Sequence, residues 1–135
     1  MKIAFGTDER TPITDRVQEV VLGMGHELEV VAEDVDWPEV GRSVGEAVAG
    51  GGADRGIVCC WTGTGVSIAA NKVPGVRAAL CADAETADGA RRWNDANVLA
   101  LSLRLLAPSL ADEIVAAFLV GKVDADEAGV ISKVD

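Results

Sequence analysis

Short apolar runs alternate along this chain with longer stretches in which apolar residues recur every three or four positions. The short runs predict β-strands at residues 2–6, 26–32, 56–60, 76–81 and 98–102. The longer stretches predict helices at residues 15–24, 39–49, 84–93 and 108–119. A further short helix is expected to end near Lys72. Thr14 is the expected cap of the first helix, because a threonine hydroxyl can accept a bond from a free N–H there.

This alternation of strand and helix predicts an α/β fold with a five-stranded parallel sheet and helices on both faces. Ligands of such sheets bind beyond the carboxyl ends of the strands. Asp8 and the turn after Cys60 fall on that edge. Asn94 and Asn97, just before the fifth strand, are assigned to the same edge.

Composition narrows the class of protein. The chain has 135 residues, 49% of them apolar, so we expect one domain over residues 1–135, with residues 121–135 as a polar arm. A net charge of −10 disfavours nucleic acid and anionic membranes as partners, although local donors can still hold an anionic small molecule. No secretion signal or membrane-spanning run is apparent, so a cytoplasmic protein is expected.

Cysteine and histidine are scarce. The cysteines at positions 59, 60 and 81 lack the spacing of a disulfide framework, and Cys59 and Cys60 are expected to point to opposite faces of a strand. His26 is the single histidine and is expected at the surface of a helix–strand turn. A Cys/His zinc site is therefore disfavoured, and no metal or cofactor is expected.

The run CCWTGTGVS, residues 59–67, carries the most chemistry. It follows an apolar strand and leads into small apolar residues, which is the order strand, glycine turn, helix. Backbone N–H groups and a helix N-terminus then surround one point and attract a phosphate or a developing oxyanion. The same field favours the thiolate of Cys60. This combination suits removal of a proton beside a carbonyl, with the enediolate held by backbone donors.

Other interpretations of these residues stay open. Cys60 is also small enough to be a buried hydrophobe, as the other two cysteines are expected to be, and the glycines are compatible with a tight turn that binds nothing. Trp61 and Trp93 suit either a stacking wall for a sugar or a dimer contact. Asn97 is expected to satisfy local backbone groups, and Asn94 to face the site.

The segment CWTGTGVSIAANKVPGVRAALC, residues 60–81, resembles the core signature of the ribose-5-phosphate isomerase B family, which also contains the galactose-6-phosphate isomerase subunits. KIAFGTD at residues 2–8, DWP at residues 36–38 and NDANVL at residues 94–99 fit the same family in order and spacing. The resemblance reaches about Leu119. It implies a Rossmann-like doubly wound fold and a homodimer or dimer of dimers with active sites between subunits.

The resemblance also implies an activity: interconversion of aldose and ketose sugar phosphates through an enediolate, without a metal. Cys60 matches the base that moves a proton between two carbons, and Thr62 matches a residue that assists at a sugar oxygen. Asp8 and Asn94 match residues that contact sugar oxygens. The turn that holds the enediolate matches Gly63, Thr64 and Gly65. Four more residues are assigned here to substrate binding, namely Glu9, Arg10, Trp61 and Trp93.

Several positions depart from the family pattern. Glu9 stands where the family usually has a histidine after the aspartate, and Trp61 replaces a glycine. Trp93 stands where the family has a histidine that helps to open the sugar ring. The C-terminal arginines that hold the phosphate are missing, and the arm carries only Lys122 and Lys133.

Different functions fit these departures. In the first alternative, the substrate is a sugar that needs no ring opening, such as a four-carbon ketose phosphate, or one whose anion is held by Arg10, Arg91 or Arg92. Alternatively, the chain has lost isomerase activity and is a regulatory subunit that pairs with an active paralogue. A third alternative is a nucleotide- or sugar-binding protein without chemistry, although no G-x-G-x-x-G follows the first strand.

Overall fold

The computed structural model describes all 135 residues and contains one five-stranded parallel sheet. The strands are β1 (Lys2–Thr7), β2 (Glu27–Glu33), β3 (Arg55–Cys60), β4 (Ala78–Leu80) and β5 (Val98–Ser102). Their order across the sheet is β2-β1-β3-β5-β4. The predicted α/β fold with a parallel sheet is therefore confirmed.

Helices cover both faces of the sheet. They are α1 (Pro12–Gly23), α2 (Trp37–Ala49), α3 (Thr64–Asn71), α4 (Ala84–Asn94), α5 (Pro108–Val120) and the short α6 (Ala128–Ile131). Single 3₁₀ turns occupy Leu103–Leu105 and Ala125–Glu127. No helix has both the length and the apolar character needed to cross a membrane.

Two hydrophobic clusters fill the space between the sheet and its helices. The larger one contains side chains of α1, α4 and α5, and the smaller one contains side chains of α2 and α3. Strand β3 contributes side chains to both clusters, because successive side chains of a strand point to opposite faces of the sheet. Cys59 packs in the larger cluster and Cys60 in the smaller one, so the predicted opposite orientation of these cysteines is confirmed.

The chain reverses direction across the sheet at its centre. From β1 it crosses to β2 at one edge, and from β2 it returns past β1 to β3. Crossovers to opposite sides leave a crevice between β1 and β3 at their carboxyl ends, which is where doubly wound sheets bind ligands. The residues that follow these two strands therefore flank the position expected for a site.

The first helix begins earlier than the sequence pattern predicts. Its cap is Thr11, whose hydroxyl accepts a bond from the N–H of Thr14 at 3.2 Å, while the Thr14 hydroxyl accepts one from the N–H of Thr11 at 2.8 Å. This capping box lets Pro12 take the first helical position, where its missing N–H costs nothing. The prediction of Thr14 as the cap was wrong by one turn.

The fourth strand is shorter than predicted. Only Ala78–Leu80 pair with β5. The residues just before them bond to the side chain of Asn97 instead. The side chain of Asn97 accepts a bond from the N–H of Arg77 at 2.7 Å and donates one to the carbonyl of Gly75 at 2.9 Å. The predicted structural role of Asn97 is confirmed.

Candidate active site

Asp8 and Cys60 occupy neighbouring positions at the centre of the sheet. Thr7 pairs with Cys59 in the parallel register, and the N–H of Asp8 donates to the carbonyl of Cys59 at 3.2 Å. A Cβ on Gly6 would touch Val40 and Val44 of α2, and Asp8 lies two residues further along the same face. Cys60 packs on that face too. Adjacent strands lie about 4.8 Å apart, so Asp8 and Cys60 are neighbouring residues on one face of the sheet.

The carboxyl group of Asp8 is only partly satisfied. Its Oδ1 atom is buried and has no hydrogen-bond partner within the chain. Loss of hydration raises the pKa of Asp8 above its usual value, and the charge of Glu9 raises it further. An unpaired buried oxygen destabilises a fold, so this atom is suited to accept a hydrogen bond from a bound hydroxyl.

The turn after Cys60 requires glycine at one position. Gly63 has a φ of +74°, and a Cβ there would lie 2.5 Å from Cδ1 of Leu80 and 2.9 Å from the carbonyl carbon of Leu101. Gly63 is also the residue that precedes α3, whose first bond back to it comes from Ser67 at 3.2 Å. The intervening N–H groups of residues 64–66 therefore have no helical acceptor and can bind an anion.

Trp37 covers one side of this turn. A Cβ on Gly65 would lie 2.9 Å from two atoms of the indole ring, so glycine is needed for the ring to approach. Trp37 itself is 45% exposed. At the mouth of the turn the hydroxyls of Thr62 and Thr64 lie 2.7 Å apart. The structure thus brings Cys60, Asp8 and the predicted turn residues together at one edge.

The other two cysteines have surroundings that make them unreactive. Burial is the main cause of a strong upward shift in the pKa of Cys59, which is completely enclosed. Burial also raises the pKa of Cys81 to about 11. Cys60 keeps 5% of its surface exposed, at the end of its strand. It is thus the least buried of the three cysteines, and it immediately precedes the turn.

Glu9, Arg10 and Trp61 lie on the same edge but in different circumstances. Glu9 is exposed and makes no ion pair, whereas Nε of Arg10 is 3.1 Å from Asp15. Trp61 is 62% exposed, and its carbonyl accepts bonds from the N–H of Arg104 at 3.0 Å and the hydroxyl of Ser102 at 3.1 Å. The indole of Trp61 is therefore presented to solvent by an anchored backbone.

Asn94 and Trp93 lie at the other end of the strands, beyond the amino end of β5. They form the end of α4, which runs back from the carboxyl end of β4 to the amino end of β5. Cys60 pairs with Ser102, the last residue of β5, whereas Asn94 precedes the first residue of that strand. The prediction that Asn94 and Asn97 lie on the edge that carries Cys60 was wrong, because residues that precede a parallel strand lie at its amino end.

The arginines expected as anion ligands are already engaged. Arg91 is buried and bound to Asp95 at 2.9 Å, and Arg92 is paired with Asp124 at 3.1 Å. Arg104 was not among the predicted site residues. It is exposed, makes no ion pair and lies two residues after β5, where its N–H bonds to Trp61. The rule that located Cys60 also applies to Arg104, because Cys60 ends β3 and Arg104 lies just beyond the carboxyl end of β5.

Comparison with known proteins places the chain in one family. A family model described as Ribose/Galactose Isomerase matches residues 3–134. A D-erythrulose-4-phosphate isomerase of Pectobacterium atrosepticum is 38% identical over 125 residues, 88% of this chain and 82% of that protein. Ribose-5-phosphate isomerase B of Escherichia coli is 42% identical over 125 residues, 87% of this chain and 83% of that protein.

Solved structures agree with the sequence comparison. Ribose-5-phosphate isomerase B of Clostridium thermocellum superimposes with a TM-score of 0.91 at 38% identity, covering 99% of this chain and 95% of that one. The type B enzyme of Trypanosoma brucei gives 0.89 at 39% identity, with 98% and 95% coverage. By its sequence along nearly its whole length and by its fold, this chain belongs to the ribose/galactose isomerase family.

Proposed function

We propose that this member of the family interconverts the aldose and ketose forms of a short, open-chain sugar phosphate, with Cys60 as the base. Family membership makes the chain an aldose–ketose isomerase of sugar phosphates. The observation that carries the assignment of Cys60 is its position: its thiol lies beside Asp8 and next to a turn with free N–H groups.

The chemistry follows from these neighbours. The thiolate of Cys60 removes a proton from the carbon next to the carbonyl, and the carbonyl oxygen becomes an oxyanion. The free N–H groups of the turn that begins at Gly63 stabilise that charge as it develops. The protonated thiol then returns the proton to the other carbon of the enediolate, while Thr62 and Asp8 move the hydroxyl proton between the two oxygens. No proton is gained or lost overall.

Arg104 is assigned to the phosphate group. Its guanidinium has no carboxylate partner, and the backbone bond to Trp61 keeps it on the edge that carries Cys60. Arginine suits phosphate because its planar group offers two parallel donors. Glu9 has no cation beside it either, and a carboxylate there suits a sugar hydroxyl better than a phosphate.

A substrate without a ring fits the composition of the site. The chain has a single histidine, His26, and its Nδ1 lies 3.0 Å from the terminal amine of Met1, away from the turn. Trp93 replaces the histidine that the family resemblance associates with ring opening. A four-carbon ketose phosphate cannot close a stable ring through a phosphorylated oxygen. The name of the Pectobacterium relative, D-erythrulose-4-phosphate isomerase, supports the same substrate class.

A second copy of the chain is assigned to complete the site. Asn94 and Trp93 cannot reach Cys60 of their own chain, because they lie beyond the other end of β5. Large apolar side chains are exposed on the surface, including Trp61 after β3, Leu80 in β4 and Trp93 at the end of α4. A symmetric pair would cover such surfaces and bring Asn94 of one protomer to Cys60 of its partner. We assign this homodimer to the cytoplasm.

The assignment of Cys60 is tested with Cys60→Ala and a matched control, Cys81→Ala. We expect Cys60→Ala to lose activity on D-erythrulose 4-phosphate by about a thousandfold with an unchanged circular-dichroism spectrum. Cys81→Ala removes a thiol of raised pKa and should keep the wild-type kcat. Retained activity in Cys60→Ala would reject the base, and faster turnover of ribose 5-phosphate than of the tetrulose phosphate would reject the substrate class.

The shared site is tested by combining two impaired variants: Cys60→Ala, which should be inactive, and Asn94→Ala, which should bind the substrate weakly. The two chains are co-expressed in equal amounts and assayed at a substrate concentration far below the KM of Asn94→Ala. Half of the random pairs are hybrids, and each hybrid has one intact site, so about a quarter of the wild-type activity should return. A mixture that is no more active than the average of the separate variants would show that Asn94 and Cys60 do not meet across an interface.

A further inference from the structure

Asp95 ends helix α4 in an unusual backbone conformation. Its φ of +48° and ψ of +42° are left-handed, which glycine adopts freely and other residues seldom do. The N–H of Asp95 bonds back to the carbonyl of Arg91 at 3.2 Å, and the N–H of Ala96 bonds to that of Ala90 at 3.0 Å. The side chain of Asp95 therefore has to stabilise a turn that a glycine would make without help.

Two arginines hold that side chain. Oδ1 of Asp95 accepts a bond from Nη1 of Arg91 at 2.9 Å, and Oδ2 accepts one from Nη2 of Arg77 at 2.9 Å. Nε of Arg77 also donates to the backbone carbonyl of Asp95 at 2.8 Å. Such charge-assisted bonds are strong where solvent is largely excluded, and Arg91 is only 6% exposed.

The arginines are themselves anchored to separate parts of the fold. Arg91 donates to the carbonyl of Ala96 and, at 3.3 Å, to that of Gly121 at the end of α5. Arg77 leads into β4, and Asn97 bonds to its backbone. The carboxylate of Asp95 thus connects the end of α4 to β4 and, through Arg91, to the end of α5.

The two residues before Asp95 are exposed, and the amide of Asn94 makes no hydrogen bond within the chain. Trp93 is 50% exposed and lies against Gly89, where a Cβ would come within 2.7 Å of the ring. Arg92 lies over the same indole, with its guanidinium carbon 5.4 Å from the ring centroid. The turn therefore presents two exposed side chains, of which Asn94 has no hydrogen-bond partner in its own chain, whereas Trp93 packs on Gly89 and Arg92.

We infer that Asp95 is a positioning residue for catalysis in the partner: bound by Arg91 and Arg77, it fixes the turn that directs Asn94 into the active site of a second copy. This inference rests on the proposed function, because it takes Asn94 to act across the interface. Asp95 itself touches no substrate. Its contribution is to remove the freedom of a residue that does, which is how supporting contacts improve an active site.

The test uses Asp95→Gly, which keeps the left-handed turn accessible but removes the carboxylate, together with the milder Asp95→Asn. We expect Asp95→Gly to raise KM about tenfold with kcat within about twofold of the wild type, since Asn94 binds the sugar before and during the reaction. The KM of Asp95→Asn should lie between the KM of the wild type and that of Asp95→Gly. Asp112→Asn is the control: it weakens another arginine–carboxylate pair, with Arg16 at 2.7 Å, and should leave KM unchanged.

A double-mutant cycle separates positioning from general damage. In the Asn94→Ala background, Asp95→Gly should have no further effect on kcat/KM, because both changes remove the same contact. Additive losses would overturn the inference. If Asp95→Gly does not fold, the same cycle is read with Asp95→Asn.

A hybrid experiment adds a readout that a local folding defect would not reproduce. A purified hybrid of Asp95→Gly with Cys60→Ala should return to the wild-type KM, because its intact site uses Cys60 of the first chain and Asp95 of the second. A KM that stays about tenfold raised, while the Asn94→Ala hybrid does return to the wild-type KM, would refute the role of Asp95 alone. If Asn94→Ala itself leaves kcat/KM unchanged, both this inference and the shared site of the proposed function are wrong.

Discussion

Asp8 lies beside Cys60 because its N–H donates to the carbonyl of Cys59, which extends the pairing of β1 with β3 by one residue. An acid with a buried, unpaired oxygen therefore neighbours the proposed base. The unpaired oxygen of Asp8 lowers the stability of the fold, but it can accept a hydrogen bond from a substrate hydroxyl. The first prediction follows from this conflict between stability and function.

Asp8→Asn should stabilise the protein at neutral pH and lower its activity. The folded state raises the pKa of Asp8 by burial, so ionisation above that pKa costs stability, and the cost disappears as pH falls through it. The amide carries no charge and should gain less than about 1 kcal/mol in the free energy of unfolding. Urea unfolding at pH 7 and at pH 4 measures this: the wild type and the variant should differ more at pH 7. A variant less stable at pH 7 would contradict it.

Alkylation should distinguish the three cysteines. Iodoacetamide reacts with thiolates, and burial raises the pKa of Cys59 and Cys81. We expect Cys60 to be modified first in the native protein, with loss of activity in parallel, and a competing sugar phosphate to slow both. Peptide mass spectrometry over time is the measurement. Earlier labelling of Cys81, which is 2% exposed, would argue that Cys60 is sealed.

Gly63→Ala should damage both the fold and the activity. A Cβ at Gly63 meets Leu80 and the backbone of Leu101, and the φ of +74° is strained for alanine. We expect a loss of about 2 kcal/mol in stability and a fall in kcat, because the free N–H groups move. Gly23→Ala is the matched control, since a Cβ there meets nothing within 4 Å. Equal effects of both substitutions would contradict the close approach at Gly63.

Arg104→Ala should weaken recognition of phosphate. We expect KM for the sugar phosphate to rise about tenfold or more, and inhibition by inorganic phosphate to weaken by a similar factor. Arg42→Ala serves as the control, because Arg42 is also exposed and without an ion pair but lies in a groove of about 490 Å³ between α2 and α3. If both variants behave alike, Arg104 contributes only through net charge.

Much of this protein followed from local patterns. The alternation of strands and helices predicted the parallel sheet, since a helix between two parallel strands must pack on the face of the sheet. Cys60 and Asp8 were predicted to lie together because each stands where a buried strand ends. The fifth strand, Val98–Ser102, was predicted with the bounds that the structure has. The predicted cap of α1 was wrong because both Thr11 and Thr14 can cap a helix. The sequence alone does not say which of them precedes the first turn.

The sequence by itself determined which residues could react and which edge of the sheet holds Cys60, because hydrophobic periodicity and strand ends are written locally. Only the tertiary structure decided which cations are free: Arg91 is bound to Asp95, whereas Arg104 has no partner. The structure also shows that Asn94 and Cys60 of one chain lie at opposite ends of the strands. Ion pairs and distances across a sheet depend on segments far apart in sequence, and those contacts exist only after the chain has folded.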